Sequence, residues 1–136
     1  GKYRLALKTS KDQIINVEYT RDKSKKKAAY KKSKAIHLKS DIDSIYTSTE
    51  KAARWYKVSV SSTKKRKAVT LSKDSVGGGF KFCVYQKGKR LKTVKVTKND
   101  KVKTVKLPKK KGAYYVKVTK LTSKTTGAYY LGTYTY

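Results

Sequence analysis

His37 and Cys83 are the only histidine and the only cysteine in this chain of 136 residues. They are the two side chains best suited to proton transfer or nucleophilic attack. A hydrolytic dyad needs a nucleophile within reach of a base, and an acid to orient that base. His37 lies between Ile36 and Leu38 with no such constellation nearby, so it reads as a structural or exposed histidine on a short strand. Cys83 alternates with Phe82 and Val84, which points it away from the core face, beside Lys81 and Tyr85. Neighbouring lysines lower a thiol pKa, but the setting reads as a weakly buried, inert thiol. One Cys and one His cannot build a zinc site, and a lone Cys excludes a disulfide within the chain. Gly77-Gly78-Gly79 invites comparison with a phosphate-binding loop, which requires a helix after it and a closing Lys-Ser/Thr pair. A strand pattern follows instead, so the glycines read as a flexible connection between strands. Neither catalysis nor a cofactor is expected.

The chemistry that the composition does favour is electrostatic. Thirty-seven Lys and Arg face 8 Asp and Glu, a net charge of +29. Such a surface attracts polyanions: wall polymers, sulfated glycans, nucleic acid or anionic headgroups. The arginines are only Arg4, Arg21, Arg54, Arg66 and Arg90. Since Arg is the residue of bidentate phosphate and base-edge recognition, a coat made of Lys implies diffuse attraction, with nucleic acid bound only non-specifically. The lysines are also spread along the chain rather than gathered into one basic arm.

Twelve Tyr and one Trp supply local contacts to go with that attraction. Tyr3, Tyr56, Tyr114 and Tyr129 fall on the inward phase of their segments and are expected in the core with tethered hydroxyls. Trp55, Tyr85, Tyr115, Tyr130, Tyr134 and Tyr136 fall on the outward phase. Outward rings interleaved with lysines can stack on sugars, extended peptide strands or unpaired bases. They can equally cover a neighbouring domain. The candidate ligand-binding residues are therefore Trp55, Tyr85, Tyr115, Tyr130 and Tyr134, with Lys57, Lys81 and Lys117.

The elements that must position these residues show a period of two from about Ala53 onward. Tyr56, Val58 and Val60 share a face, as do Val69 and Leu71, then Phe80, Phe82 and Val84. Val94 and Val96, Val105 and Leu107, Tyr114, Val116 and Val118, and finally Tyr129 and Leu131 repeat the pattern. Turn-forming residues separate the runs at 75–79, 87–89, 98–101, 108–112 and 125–127. Short alternating strands with turns every ~8–12 residues predict an all-β, antiparallel β-sandwich, here of about seven to nine strands. The one weak helical stripe is at 24–35. No apolar run reaches the ~20 residues needed to span a bilayer as a helix. Without Met and with Gly1 at its head, the chain reads as a piece of a larger protein. Residues 1–7 echo residues 127–133, so the segment 1–16 is either the end of a preceding repeat or a first strand plus linker.

From Val17 onward the order of pieces resembles the bacterial pre-peptidase C-terminal domain family, which includes collagen-binding domains of bacterial collagenases. The resemblance rests on Glu18 with Asp22-Lys23-Ser24 and Ala28, on Ala35–Leu38 and Ile42–Tyr46, and on Trp55-Tyr56-Lys57-Val58-Ser59-Val60. It continues through Gly79-Phe80-Lys81-Phe82 and Val84-Tyr85. Its most specific parts are Gly112-Ala-Tyr-Tyr-Val-Lys-Val118 and Gly127-Ala-Tyr-Tyr-Leu131. It implies a jelly-roll-like β-sandwich over 17–136, appended to a secreted or cell-surface protein. The collagen-binding branch holds Ca²⁺ with acidic residues in the leading segment and before the aromatic pair. Here the latter positions read Glu50-Lys-Ala-Ala-Arg54. Calcium takes six or more oxygen ligands, and Glu18, Asp22, Asp41 and Asp43 are too few, so no metal is expected.

These readings converge on a non-catalytic extracellular binding module of a larger bacterial protein. Its expected partners are an anionic polysaccharide, a cell-wall polymer or an extracellular matrix protein, together with neighbouring domains of its own chain. The alternatives are a general polyanion or nucleic-acid binder, and a structural spacer in a tandem array.

Overall fold

A computed structural model describes residues 29–39, 44–47, 53–74, 77–125 and 128–136. Nine strands lie within them: β1 (Ile36–His37), β2 (Ser44–Thr47), β3 (Arg54–Val60), β4 (Lys67–Asp74), β5 (Phe80–Gln86), β6 (Lys89–Val96), β7 (Val102–Lys106), β8 (Gly112–Lys120) and β9 (Ala128–Thr135). They form a five-stranded sheet in the order β1-β3-β8-β5-β6 and a four-stranded sheet in the order β2-β9-β4-β7. Every pairing is antiparallel except the short one between β1 and β3. The protein is an all-β sandwich. Of the helical stripe expected at 24–35, the described part holds a single 3₁₀ turn at Lys32–Lys34, and residues 24–28 lie outside the described residues.

Alternation dictates the layers. On β3 and β8 the exposure alternates residue by residue, with Tyr56, Val58, Val60, Tyr114, Val116 and Val118 buried. All the other inward residues expected from the pattern are buried as well, except Val94, which packs partly buried against the core. Most of the core is Val and Leu, with five rings, Tyr56, Phe80, Phe82, Tyr114 and Tyr129. Phe80 meets Tyr129 edge-on at 4.9 Å, and the Tyr56 and Tyr129 hydroxyls hydrogen-bond at 2.7 Å across the two sheets. The Tyr114 hydroxyl donates to the Lys110 carbonyl at 3.0 Å, and burial raises its pKa. The tethered-hydroxyl expectation thus holds for Tyr56, Tyr114 and Tyr129. Tyr3 lies outside the described residues, as do the 1–7 echo and Glu18, Asp22, Asp41 and Asp43.

The turns confirm the punctuation. Lys87 and Gly88 both have positive φ, 47° and 80°, the geometry of a two-residue turn whose twist matches its flanking strands. Among the glycines before β5, Gly78 and Gly79 stand close against other segments of the chain. Gly79 is buried, and a Cβ placed on it would lie 2.0 Å from the Val96 carbonyl oxygen. The Thr125 hydroxyl donates to the Gly79 carbonyl at 2.9 Å and accepts from its N–H at 3.2 Å. Close approach of backbones accounts for glycine at position 79.

The candidate ligand-binding face

Three long strands of the five-stranded sheet set out the site by register. Lys57 on β3, Tyr115 on β8 and Tyr85 on β5 stand in one row, with His37 and Arg90 opposite its two ends. The next row runs Trp55, Lys117, Cys83 and Thr93. A third holds Thr119, Lys81 and Lys95. Side chains on one face of a strand recur every second residue, so each outward run of β3, β8 and β5 delivers its aromatic and its lysine to the same surface.

Within that surface the rings and cations interlock. Trp55 and Tyr85 meet across β8 with centroids 5.4 Å apart and planes tilted by 45°. The Lys117 Nζ lies 5.4 Å from the Trp55 ring centre, and the Lys32 Nζ lies 4.7 Å from that of Tyr115. Both fall within the ~6 Å reach of a cation–π contact, worth ~0.5–1 kcal/mol where exposed. Trp55, Tyr85, Tyr115, Lys57, Lys81 and Lys117 are all half-buried. None of the five strands contains an Asp or a Glu, so no carboxylate on the sheet competes for these cations.

Cys83 sits on the outward phase, as its alternation requires, yet it is only 6% exposed. In the register it lies between Lys117 and Thr93, and its Sγ is 3.4 Å from the Thr93 hydroxyl. This thiol is more deeply buried than its phase suggested. Tyr85 has its pKa raised, chiefly by burial and further by the adjacent Cys83. His37 is exposed and its Nε2 lies 3.1 Å from the Ser59 Oγ. It stands on β1 and Cys83 on β5, three strands away, which is ~14 Å at the usual strand spacing. The two do not form a dyad, and no group of three or more His, Cys, Asp or Glu able to hold a metal occurs among the described residues.

Six of the eight candidate residues are therefore neighbours. The other two are not: Tyr130 and Tyr134 belong to β9 in the opposite sheet, where Tyr134 packs against Tyr136 at 5.9 Å. Phase within a strand says which side a residue faces, but not to which sheet the strand belongs. Lys32, Arg90 and Lys95 join the six only in the folded chain. The β5–β6 hairpin brings Arg90 and Lys95 there, and a remote turn brings Lys32.

The comparisons with known proteins bear on the fold. No protein-family model matches the chain, and no curated protein matches it. Solved structures do. A pre-peptidase C-terminal domain of a collagenase from Bacillus anthracis aligns with a TM-score of 0.55 and 16% identity. The alignment covers 73% of this chain and 93% of that domain. The sandwich is pre-peptidase-C-like. At that identity the likeness speaks for the architecture. Among the described residues, no helix is long and apolar enough to cross a membrane.

Proposed function

We propose that the chain is a non-catalytic accessory module that attaches a secreted or cell-surface bacterial protein to an anionic extracellular polymer, through the outer face of its five-stranded sheet. The supporting observation is a sheet whose five strands carry no Asp or Glu and on which the Trp55–Tyr85 pair and Tyr115 lie among Lys32, Lys57, Lys81 and Lys117. The net charge of +29 draws the polymer in from a distance, over a range set by the ~8 Å Debye length of physiological salt. The rings then hold individual units by stacking. A half-buried aromatic sheet face suits an extended chain with repeating charge better than a small molecule, which favours an enclosing pocket. The resemblance to an accessory domain of a collagenase supports the same reading.

Affinity for DNA at low salt decides nothing, since any protein so basic binds it through counterion release. The test is binding at near-physiological salt, of wall or sulfated polysaccharide against single-stranded nucleic acid. The proteins compared are wild type and the Trp55→Ala/Tyr85→Ala/Tyr115→Ala variant. Polysaccharide binding that survives the salt and falls with the aromatic changes is expected. Tight, salt-resistant, aromatic-dependent binding of nucleic acid alone would replace this reading with the nucleic-acid one. Absence of binding to either polymer would leave the spacer.

A further inference from the structure

Away from that face, the turn between β3 and β4 shapes a cavity of about 300 Å³ at one end of the sandwich. Its lining is Ser61, Ser62, Lys64, Lys65, Lys67 and Thr135. Every one of these side chains can donate a hydrogen bond, and none carries negative charge. The run Lys64-Lys65-Arg66-Lys67 places four cations in succession with no acidic residue anywhere in the turn. With the described residues, neither Lys64 nor Lys65 makes an ion pair.

The turn is held in this arrangement from below. Arg66 and Tyr136 exchange two backbone hydrogen bonds, at 3.0 and 2.9 Å, which fasten the turn to the end of β9. The Lys67 ammonium donates to the Ser59 carbonyl at 2.9 Å, and the Lys64 N–H donates to the Ser62 hydroxyl at 3.1 Å. Like charges kept together by a fixed backbone repel one another. An anion seated among them relieves that repulsion and collects charge-assisted hydrogen bonds. The volume is at the lower end of small-ligand pockets, which start at ~300 Å³. It exceeds what a bare ion fills and leaves room for the alcohol or sugar unit that bears it.

We propose that this cavity is an oxyanion subsite that takes a phosphate or sulfate ester group on a small alcohol or sugar unit. Lys64 and Lys65 supply the charge, the Ser61 and Thr135 hydroxyls orient the oxygens, and Lys67, already committed to Ser59, forms the floor. The site lies off the aromatic face and stands or falls separately from it.

The experiment is an amide chemical-shift titration of the isotopically labelled protein with inorganic phosphate, sulfate and acetate at matched ionic strength. Phosphate and sulfate are expected to shift the amides of Ser61–Lys67 and Thr135 saturably, with acetate much weaker. Lys64→Gln/Lys65→Gln should lower the affinity about tenfold or more, as expected for the loss of charged hydrogen bonds. Lys89→Gln/Lys92→Gln, which removes equal charge from the exposed edge strand β6, should change it less than about twofold. Spectra unchanged outside the turn certify that a loss of binding reports the site and not the fold. Shifts that rise without saturation over lysines everywhere, or equal losses in the two double variants, would reduce the cavity to diffuse electrostatics and overturn the proposal. Glycerol phosphate, a sulfated monosaccharide and anionic phospholipid vesicles then distinguish the source of the ester. The aromatic triple variant should titrate like wild type, so failure here leaves the sheet-face reading standing, and failure there leaves this one.

Discussion

The outer surfaces of the two sheets are built by the same alternation and come out chemically unlike. On the five-stranded sheet the outward positions of β3, β8 and β5 carry Trp55, Tyr115 and Tyr85, wedged together with lysines. At the centre of the four-stranded sheet the outward positions are small or hydroxylic. Thr70 hydrogen-bonds Thr104 at 2.9 Å and lies opposite Gly132, while Ser72 lies opposite Tyr130. The aromatics there lie along one strand, β9, with Tyr134 and Tyr136 at its exposed end. One surface is a multi-strand aromatic platform among lysines, and the other is hydroxylic at its centre, with tyrosines at a margin where the Lys106 Nζ lies 5.3 Å from the Tyr136 ring centre. Alternation produces a surface, but the identity of the paired strands decides whether its residues act together.

The strongest perturbation removes what both surfaces rest on. Phe82 is fully buried between the sheets, and Phe82→Ala should cost about 3–5 kcal/mol in denaturant unfolding. Its neighbour on the outer face, Lys81→Ala, should stay within about 0.5 kcal/mol. Equal costs would mean that the two sides of β5 are not core and surface. Next in size is the contrast between the platforms themselves. Losing Trp55, Tyr85 and Tyr115 together should weaken polymer binding on the order of a hundredfold, at about 1 kcal/mol per stacked ring. Tyr130→Ala/Tyr134→Ala should cost less than about threefold by the same scale. A larger loss from the β9 pair would move the binding face to the other sheet.

The smallest effect belongs to the corner where the chain passes from β6 in one sheet to β7 in the other. There Asp100 accepts from the Thr97 N–H and hydroxyl at 2.9 and 2.7 Å, and pairs with Lys103 at 2.7 Å. These bonds, that from Lys103 foremost, hold its carboxyl well below the usual carboxylate range. A lowered folded-state pKa means that the stabilisation is present above the unfolded value of ~3.9 and is lost as pH falls below it toward the folded one. Asp100→Asn should therefore lower Tm at neutral pH, with the gap to wild type closing in strong acid. A gap independent of pH would show that the carboxylate charge does not brace this corner.

Much of this architecture was legible because one signal, the period of two, is local and strong. Tyr56, Val58, Phe82, Val116 and Leu131 all follow from counting residues. What counting could not reach depends on distant chain segments meeting. Trp55 and Tyr85 belong to strands that never pair, since β8 runs between them. Ala68 and Cys83 lie on outward phases yet are buried, Ala68 between Lys106 and Tyr134 in the register and Cys83 between Thr93 and Lys117. Arg54 is buried on the inward phase of β3, where sequence reading counted it only as charge. Thr125, in a stretch read simply as a turn, is wholly buried and hydrogen-bonded to Gly79. Its burial follows from the backbone groups it serves, which its own neighbours in sequence do not disclose.

The Tyr56–Tyr129 hydroxyl bridge has a mechanical consequence. Apolar side chains packed between two sheets resist separation but discriminate poorly among lateral offsets, since one Val contact replaces another at little cost. A hydrogen bond between a β3 side chain and a β9 side chain forms at a single offset. Sliding the layers by one residue pair would break it, at the ~0.5–1.5 kcal/mol that a typical hydrogen bond contributes. The bridge thus works as a shear key, letting the sandwich transmit a pull along its strands without its two halves creeping past each other.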